Sequence, residues 1–180
     1  MRLATIRDGS ADGRLAMVSA DGARILHAAG WPTMQSVLEH WEEAQPALAE
    51  TAARLASGEG SAAPDGFAAP LPRAWQWLDG SAFTSHGDLM QVAFHQEPIA
   101  TDKPLMYQGI SDTFLGPRDD VPLPTEDDGI DFEGEYGVIV DRVPMGTSAA
   151  DALGHIRLIV QINDWSLRIP GAAEMRTGFG

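Results

Sequence analysis

An α+β fold, mostly β, is predicted by three features of this 180-residue chain. Near its start, the apolar runs RLATIR and RLAMVS flank the turn-rich DGSADG, as in a β-hairpin. Residues 32–58 space their apolar side chains as a helix does. Further on, DFEGEYGVIV (131–140) and IRLIVQIN (156–163) are short, apolar and rich in β-branched residues, which is strand composition.

After the hairpin, ADG gives a second turn and ARILHAA a third strand. Val37, Leu38 and Trp41, then Leu48, Ala52 and Leu55, mark a helical stripe. Pro46 predicts a break or restart in that helix, because proline lacks the N–H and its ring collides with the preceding turn. Gly58 is the expected C-terminal stop. Residues 1–57 are therefore expected to form a small N-terminal α+β module. GEGSAAPDGFAAPLP (58–72) is rich in Gly, Ala and Pro and reads as a linker. The second region is expected over 73–180. In it, AWQWLDGSAFTSH predicts a short strand, a turn at Asp79-Gly80 and a helix from about Ser85. TDKPLMYQGISDTFLGPRDDVPLPTEDDG reads as loop, and loops this long in compact domains are commonly functional. TSAADALGHI is a short helix, with Ser148 as cap and Asp151 at the capping-box spacing. IRLIVQIN shows no polar face before Gln161, so a buried strand is expected that delivers Asp164 to its end. There is no internal repeat.

With no cysteine, disulfides, thiolate metal sites and a cysteine nucleophile are excluded. No run has the length of a signal-peptide core or a membrane helix, so a soluble, cytoplasmic protein is expected. The net charge of −14 repels nucleic acid and anionic membrane, and neither is expected as a partner. The charge is uneven: residues 112–135 hold nine Asp or Glu against a single base, Arg118. Such a cluster is either a solvated loop or a cation site.

In the strand 131–140, Asp131, Glu133 and Glu135 alternate onto one face, about 7 Å apart. An antiparallel strand with one wet face has this pattern. So does a pair of carboxylates converging on a hard cation, for which all-oxygen ligands favour Mg²⁺, Mn²⁺ or Ca²⁺. Spacing alone leaves both readings open.

DFEGEYGVIV followed by QINDWSLR resembles the fumarylacetoacetate hydrolase family, whose signature joins a Glu-x-Glu strand to a later Asn-Asp-x-Ser-x-Arg. Here those residues are Glu133, Glu135, Asn163, Asp164, Ser166 and Arg168. PLMYQGISDTFLGPRDD is similar to the segment before that strand in bacterial two-domain members. The resemblance implies that the N-terminal module is followed by part of a mixed β-roll, with 73–180 the first part of the catalytic domain. It implies a divalent metal, Mg²⁺ first and Mn²⁺ or Ca²⁺ as alternatives, on Glu133, Glu135 and Asp164. Asp79 would be a further ligand, seven residues before His86, the implied general base. Tyr107 and Arg168 would contact substrate. From the residues alone, His86 also fits a surface or core histidine, and Arg168 a salt bridge closing the strand end. Asp131 shares the glutamate face, is not needed as a ligand, and is expected solvated at the strand edge. His40, His95 and His155 have no defensible partner spacing and are expected to be structural or exposed.

The resemblance implies cleavage of a carbon–carbon bond in a 1,3-diketo acid, fumarylacetoacetate- or acylpyruvate-like, in aromatic or amino-acid catabolism, by a homodimer. The alternatives are a lyase on the same scaffold (oxo-acid decarboxylase, hydratase or isomerase) and a non-catalytic metal-binding fragment. The family's catalytic lysine would fall beyond Gly180. LRIPGAAEMR lacks the glutamine that follows the arginine in the fumarylacetoacetase branch, which bears on the substrate more than on the metal.

Overall fold

A computed structural model describes residues 1–94, 97 and 103–178 of the chain; His95 lies outside the described residues. In chain order come β1 (Arg2–Ile6), β2 (Arg14–Val18), β3 (Arg24–Leu26), α1 (Met34–Glu39), α2 (Trp41–Ala56) and β4 (Ser61–Ala62). Next are β5 (Trp77–Ser81), α3 (Thr84–Phe94), β6 (Leu105–Gly109) and β7 (Ile130–Asp131). The chain continues with β8 (Gly134–Val140), α4 (Ala149–Ala152), β9 (Ile156–Asn163), β10 (Ser166–Leu167) and α5 (Arg168–Met175). Helices and strands interleave, which is the α+β class expected. They sort into two compact units: Met1–Arg73, Thr113–Pro122 and Phe132–Asp164 in the first, Ala74–Asp112, Leu123–Asp131 and Trp165–Gly180 in the second.

In the first unit, β1 and β2 pair antiparallel from Arg2↔Val18 to Ile6↔Arg14, the hairpin that the sequence predicts. The sheet order is β1-β2-β3-β4. Leu15 and Met17 of β2 meet Met34, Val37, Leu38, Ala44, Leu48 and Leu55 of the two helices in one buried cluster. Thr33 starts α1 with a reciprocal cap: the Ser36 N–H donates to its hydroxyl at 3.1 Å, and its own N–H donates to the Ser36 hydroxyl at 3.3 Å. The helix breaks at His40 (φ −131°, ψ 45°), not at Pro46, which lies inside α2. Pro46 is exposed, as is Glu42, whose carbonyl it deprives of a helical partner. Its cost of about 3 kcal/mol is set against burial of Leu48 and Leu55, worth about 1.5–3 kcal/mol each. Gly58 ends the helix as expected, at φ +105°.

The stretch 58–72 lies on this module. Its β4 pairs with β3, and Ala68 and Ala69 are buried. The Ala68 N–H donates to Thr5 O at 2.9 Å, and the buried Thr5 hydroxyl donates to Pro70 O at 2.6 Å. Gly60 has φ +111°, and a Cβ there would sit 2.5 Å from Ile25 O, so only glycine fits.

β8 and β9 form a two-stranded antiparallel ribbon from Gly134↔Asn163 to Val140↔Ile156. One face sends Ile139 and Leu158 against the cluster of the N-terminal module. The other leaves Tyr136 and Ile159 exposed at 84% and 75%. The buried strand expected at 156–163 thus packs on one face within its unit. Ser148 caps α4, as its spacing predicts: the Asp151 N–H donates to the Ser148 hydroxyl at 3.2 Å. His155 Nδ1 and Arg157 Nε donate to the Asp141 carboxylate at 2.6 and 2.9 Å, so His155 is structural. The Arg157 guanidinium lies 5.8 Å over the Trp41 ring, tying the ribbon to α2. His40 is exposed.

In the second unit, β5 and β6 pair antiparallel from Trp77↔Gly109 to Ser81↔Leu105. Asp79-Gly80 is therefore strand, not the expected turn. Its partner strand comes from the segment that reads as loop, and strand pairing outweighs the local turn preference. α3 begins at Thr84, next to the Ser85 start expected. β7 pairs with β10 through Ser166↔Asp131 and Leu167↔Ile130.

The strand expected over 131–140 is hence two strands. β7 ends at Asp131 with β10 as partner, and β8 begins at Gly134 with β9 as partner. Phe132 and Glu133 lie between them. There the Glu133 N–H donates to the Asn163 side-chain oxygen at 3.1 Å, and the Asp164 N–H donates to Glu133 O at 2.9 Å.

Two measurements check this description. Burial opposes the Asp141 charge, but the hydrogen bonds from His155 and Arg157 outweigh it and hold its carboxyl below the usual carboxylate range. A carboxyl depressed on folding stabilises above its unfolded pKa and loses that contribution as pH falls through its folded pKa. Asp141→Asn is therefore expected to be less stable than wild type in urea at neutral pH. The gap should close as pH drops from about 4 towards 2; a constant gap would contradict the assignment. Asn163→Ala removes the acceptor for the Glu133 N–H and should cost about 1 kcal/mol in urea unfolding.

Candidate metal centre

Antiparallel pairing places the start of β8 beside the end of β9. Glu135 stands opposite Ile162, one residue from the Gly134↔Asn163 pair that closes the ladder. Asp164 follows directly. The two hydrogen bonds between Glu133 and Asn163-Asp164 lock these segments together where the ladder stops. A carboxylate oxygen of Glu135 and one of Asp164 lie within 4.8 Å of each other, and both residues are half-buried. Glu133 is also half-buried but does not complete a three-carboxylate group with these two at that spacing among the described residues.

This donor pair fits a hard divalent cation. Two oxygens on one Mg²⁺, each at about 2.1 Å, lie no more than about 4.2 Å apart. The approach of Glu135 and Asp164 to within 4.8 Å is close to that range. The backbone need not move, because both residues hang from the same locked ladder end.

The second unit holds Asp79, His86, Tyr107 and Arg168. Asp79 and Tyr107 are directly opposed in the β5–β6 ladder, so their side chains leave the same face as close neighbours. Trp77 meets the Tyr107 ring edge-on at 5.7 Å and buttresses it. His86 sits half-buried in the first turn of α3. Arg168 opens α5; its N–H donates to Gly129 O at 2.9 Å and its Nε donates to Asp131 at 2.8 Å.

The ion pair with Asp131 is the strand-closing salt bridge that the residues alone allow for Arg168. It corrects the expectation for Asp131, which is partnered by Arg168 instead of merely solvated at a strand edge. Sequence reasoning also missed Asn163 as the cap on Glu133. Its place at the end of an apolar strand was the available signal, but its partner lies 30 residues away.

Residues 1–73 match the family described as fumarylacetoacetase N-terminal domain 2, and residues 76–179 the family described as fumarylacetoacetate (FAA) hydrolase C-terminal. The human mitochondrial oxaloacetate tautomerase is 24% identical over 167 residues, covering 87% of this chain and 51% of that protein. A fumarylacetoacetate hydrolase domain-containing protein 2 homolog of Dictyostelium discoideum is 28% identical over 94 residues, covering 49% of this chain and 29% of that protein. The chain thus spans about half the length of the human relative, and its match to the other covers less. With both regions matched in order, and with the acidic ladder end between β8 and β9 in the matched segment, the chain belongs to the fumarylacetoacetate hydrolase family.

Proposed function

We propose that this chain carries the metal-holding carboxylates of an enzyme that cleaves a carbon–carbon bond in a 1,3-diketo acid of the acylpyruvate type. The observation that supports this reading most is the approach of Glu135 and Asp164 to within 4.8 Å at a hydrogen-bonded ladder end. Glu133 and Asp79 complete the ligand set by family resemblance. Mg²⁺ is the favoured ion and Mn²⁺ or Ca²⁺ the alternatives, since every donor is a carboxylate oxygen. When bound, the cation supplies Lewis-acid polarisation of the substrate's carbonyl oxygens.

The chain's own residues take the remaining roles. Arg168 pairs with the substrate carboxylate. Tyr107, fixed by Trp77, donates to a substrate oxygen. His86 takes a proton from the water that attacks the carbonyl carbon. The bond to the neighbouring carbon then breaks, its electron pair stays on that carbon, and the proton on His86 is delivered there. Atoms and charge balance, and histidine is the side chain suited to moving a proton both ways near neutral pH. A cytoplasmic homodimer working in aromatic or amino-acid catabolism accompanies this reading.

A second reading is an isomerase. The human relative that aligns with most of this chain is by name an oxaloacetate tautomerase. Tautomerisation moves one proton between carbon and oxygen and needs no attacking water.

His86→Ala is the test, assayed with Mg²⁺ on acylpyruvate cleavage and on keto–enol exchange of oxaloacetate. Loss of a general base should lower cleavage by about 10²–10⁴-fold. Unchanged cleavage would contradict the hydrolytic role of His86. A wild-type chain that exchanges oxaloacetate tautomers but leaves acylpyruvates whole would favour the second reading.

A further inference from the structure

We propose that Asp131 is a positioning residue, which sets the Arg168 guanidinium to receive a substrate carboxylate. The inference rests on the diketo-acid reading above and deepens it.

Contacts within the second unit hold Arg168. Its backbone N–H is bound to Gly129 O at 2.9 Å, its Nε donates to Asp131 Oδ2 at 2.8 Å, and its Nη1 lies 3.8 Å from Met90 Sδ. Gly129 is left-handed (φ +68°), and a Cβ there would crowd Arg168 and Ile169 at 3.2–3.5 Å. That close approach brings the start of α5 against the strand that ends in Asp131. The guanidinium is a planar fork, so a bond at Nε fixes the plane in which its other donors lie.

Stability gains little from this pair. The Arg168 and Asp131 side chains are 31% and 47% exposed, and ion pairs so exposed contribute little to folding. Orientation does account for it. A long, flexible arginine that is held before the ligand arrives loses less freedom on binding. Met90 also lies one helical turn beyond His86 on α3, so the two share a helix face. The contact on Met90 thus sets Arg168 beside the face that carries the proposed base.

The test compares two probes in Mg²⁺ buffer by calorimetry: acetylpyruvate, and acetylacetone, which keeps the diketone unit but lacks the carboxylate. Wild type should prefer the acid. Asp131→Ala should weaken acetylpyruvate binding about tenfold, leave acetylacetone binding unchanged, and have no further effect in an Arg168→Ala background. Circular dichroism reports folding of each variant, and Asp131→Ser serves if the alanine chain does not fold. A purely structural role would weaken both probes equally, and that result overturns the inference, as does undiminished binding of the acid. If wild type binds acetylacetone without preferring the acid, Arg168 is not a carboxylate partner; the inference falls and the metal reading stands. If wild type binds neither probe, the diketo-acid reading itself fails and takes the inference with it.

Discussion

The antiparallel ladder between β8 and β9 is the constraint on which the candidate site depends. Glu135 and Asp164 are 29 residues apart in sequence, and neither has a local reason to approach the other. The ladder register brings them together, and the exchange between Glu133 and Asn163-Asp164 pins its last rung. The register in turn depends on the rest of the first unit. Ile139 and Leu158 face its buried cluster, and a slip of one residue would turn them, and Glu135, to the opposite face. Arg157, held by Asp141 and stacked on Trp41, resists the same slip at the far end of the ribbon.

Folding therefore brings two like charges close. With carboxylate oxygens within 4.8 Å of each other and in surroundings between water and protein, their repulsion is on the order of 1 kcal/mol or more. A fold does not hold such a pair for stability. A hard divalent cation shared between the two oxygens would offset that repulsion. The second unit follows a similar logic with opposite charges: Arg168 is steadied by Asp131 and Met90 more than it is neutralised. In both places hydrogen bonds to neighbouring residues set the direction of a charge.

Much of this was legible in the sequence, and the parts that were not share a cause. The first hairpin, the helical stripe around Leu48 and Leu55, the Gly58 stop and the Ser148 cap are governed by residues within a turn of one another, so local pattern sufficed. Pro46 misled because the cost of an interior proline falls on the exposed first turns of a helix that is anchored by Leu48 and Leu55. Asp79-Gly80 has turn composition, yet β6, more than twenty residues later, claims it as strand. The break at Phe132-Glu133 was invisible because two different partners, β10 and β9, compete for one apolar run. The acidic residues were found by their types and by resemblance to a family. Which of them meet was decided by pairing over distance. Asp131 shows this most clearly, since its partner Arg168 lies 37 residues away.

On the reading proposed above, the ladder end between β8 and β9 holds a divalent cation on Glu135 and Asp164. Calorimetric titration of chelator-treated protein with Mg²⁺ and Mn²⁺, beside Glu135→Gln and Asp164→Asn, is the measurement that decides it. One site per chain in wild type, abolished by either substitution, is the predicted result. Binding that survives both substitutions, or its absence in wild type, would contradict the claim.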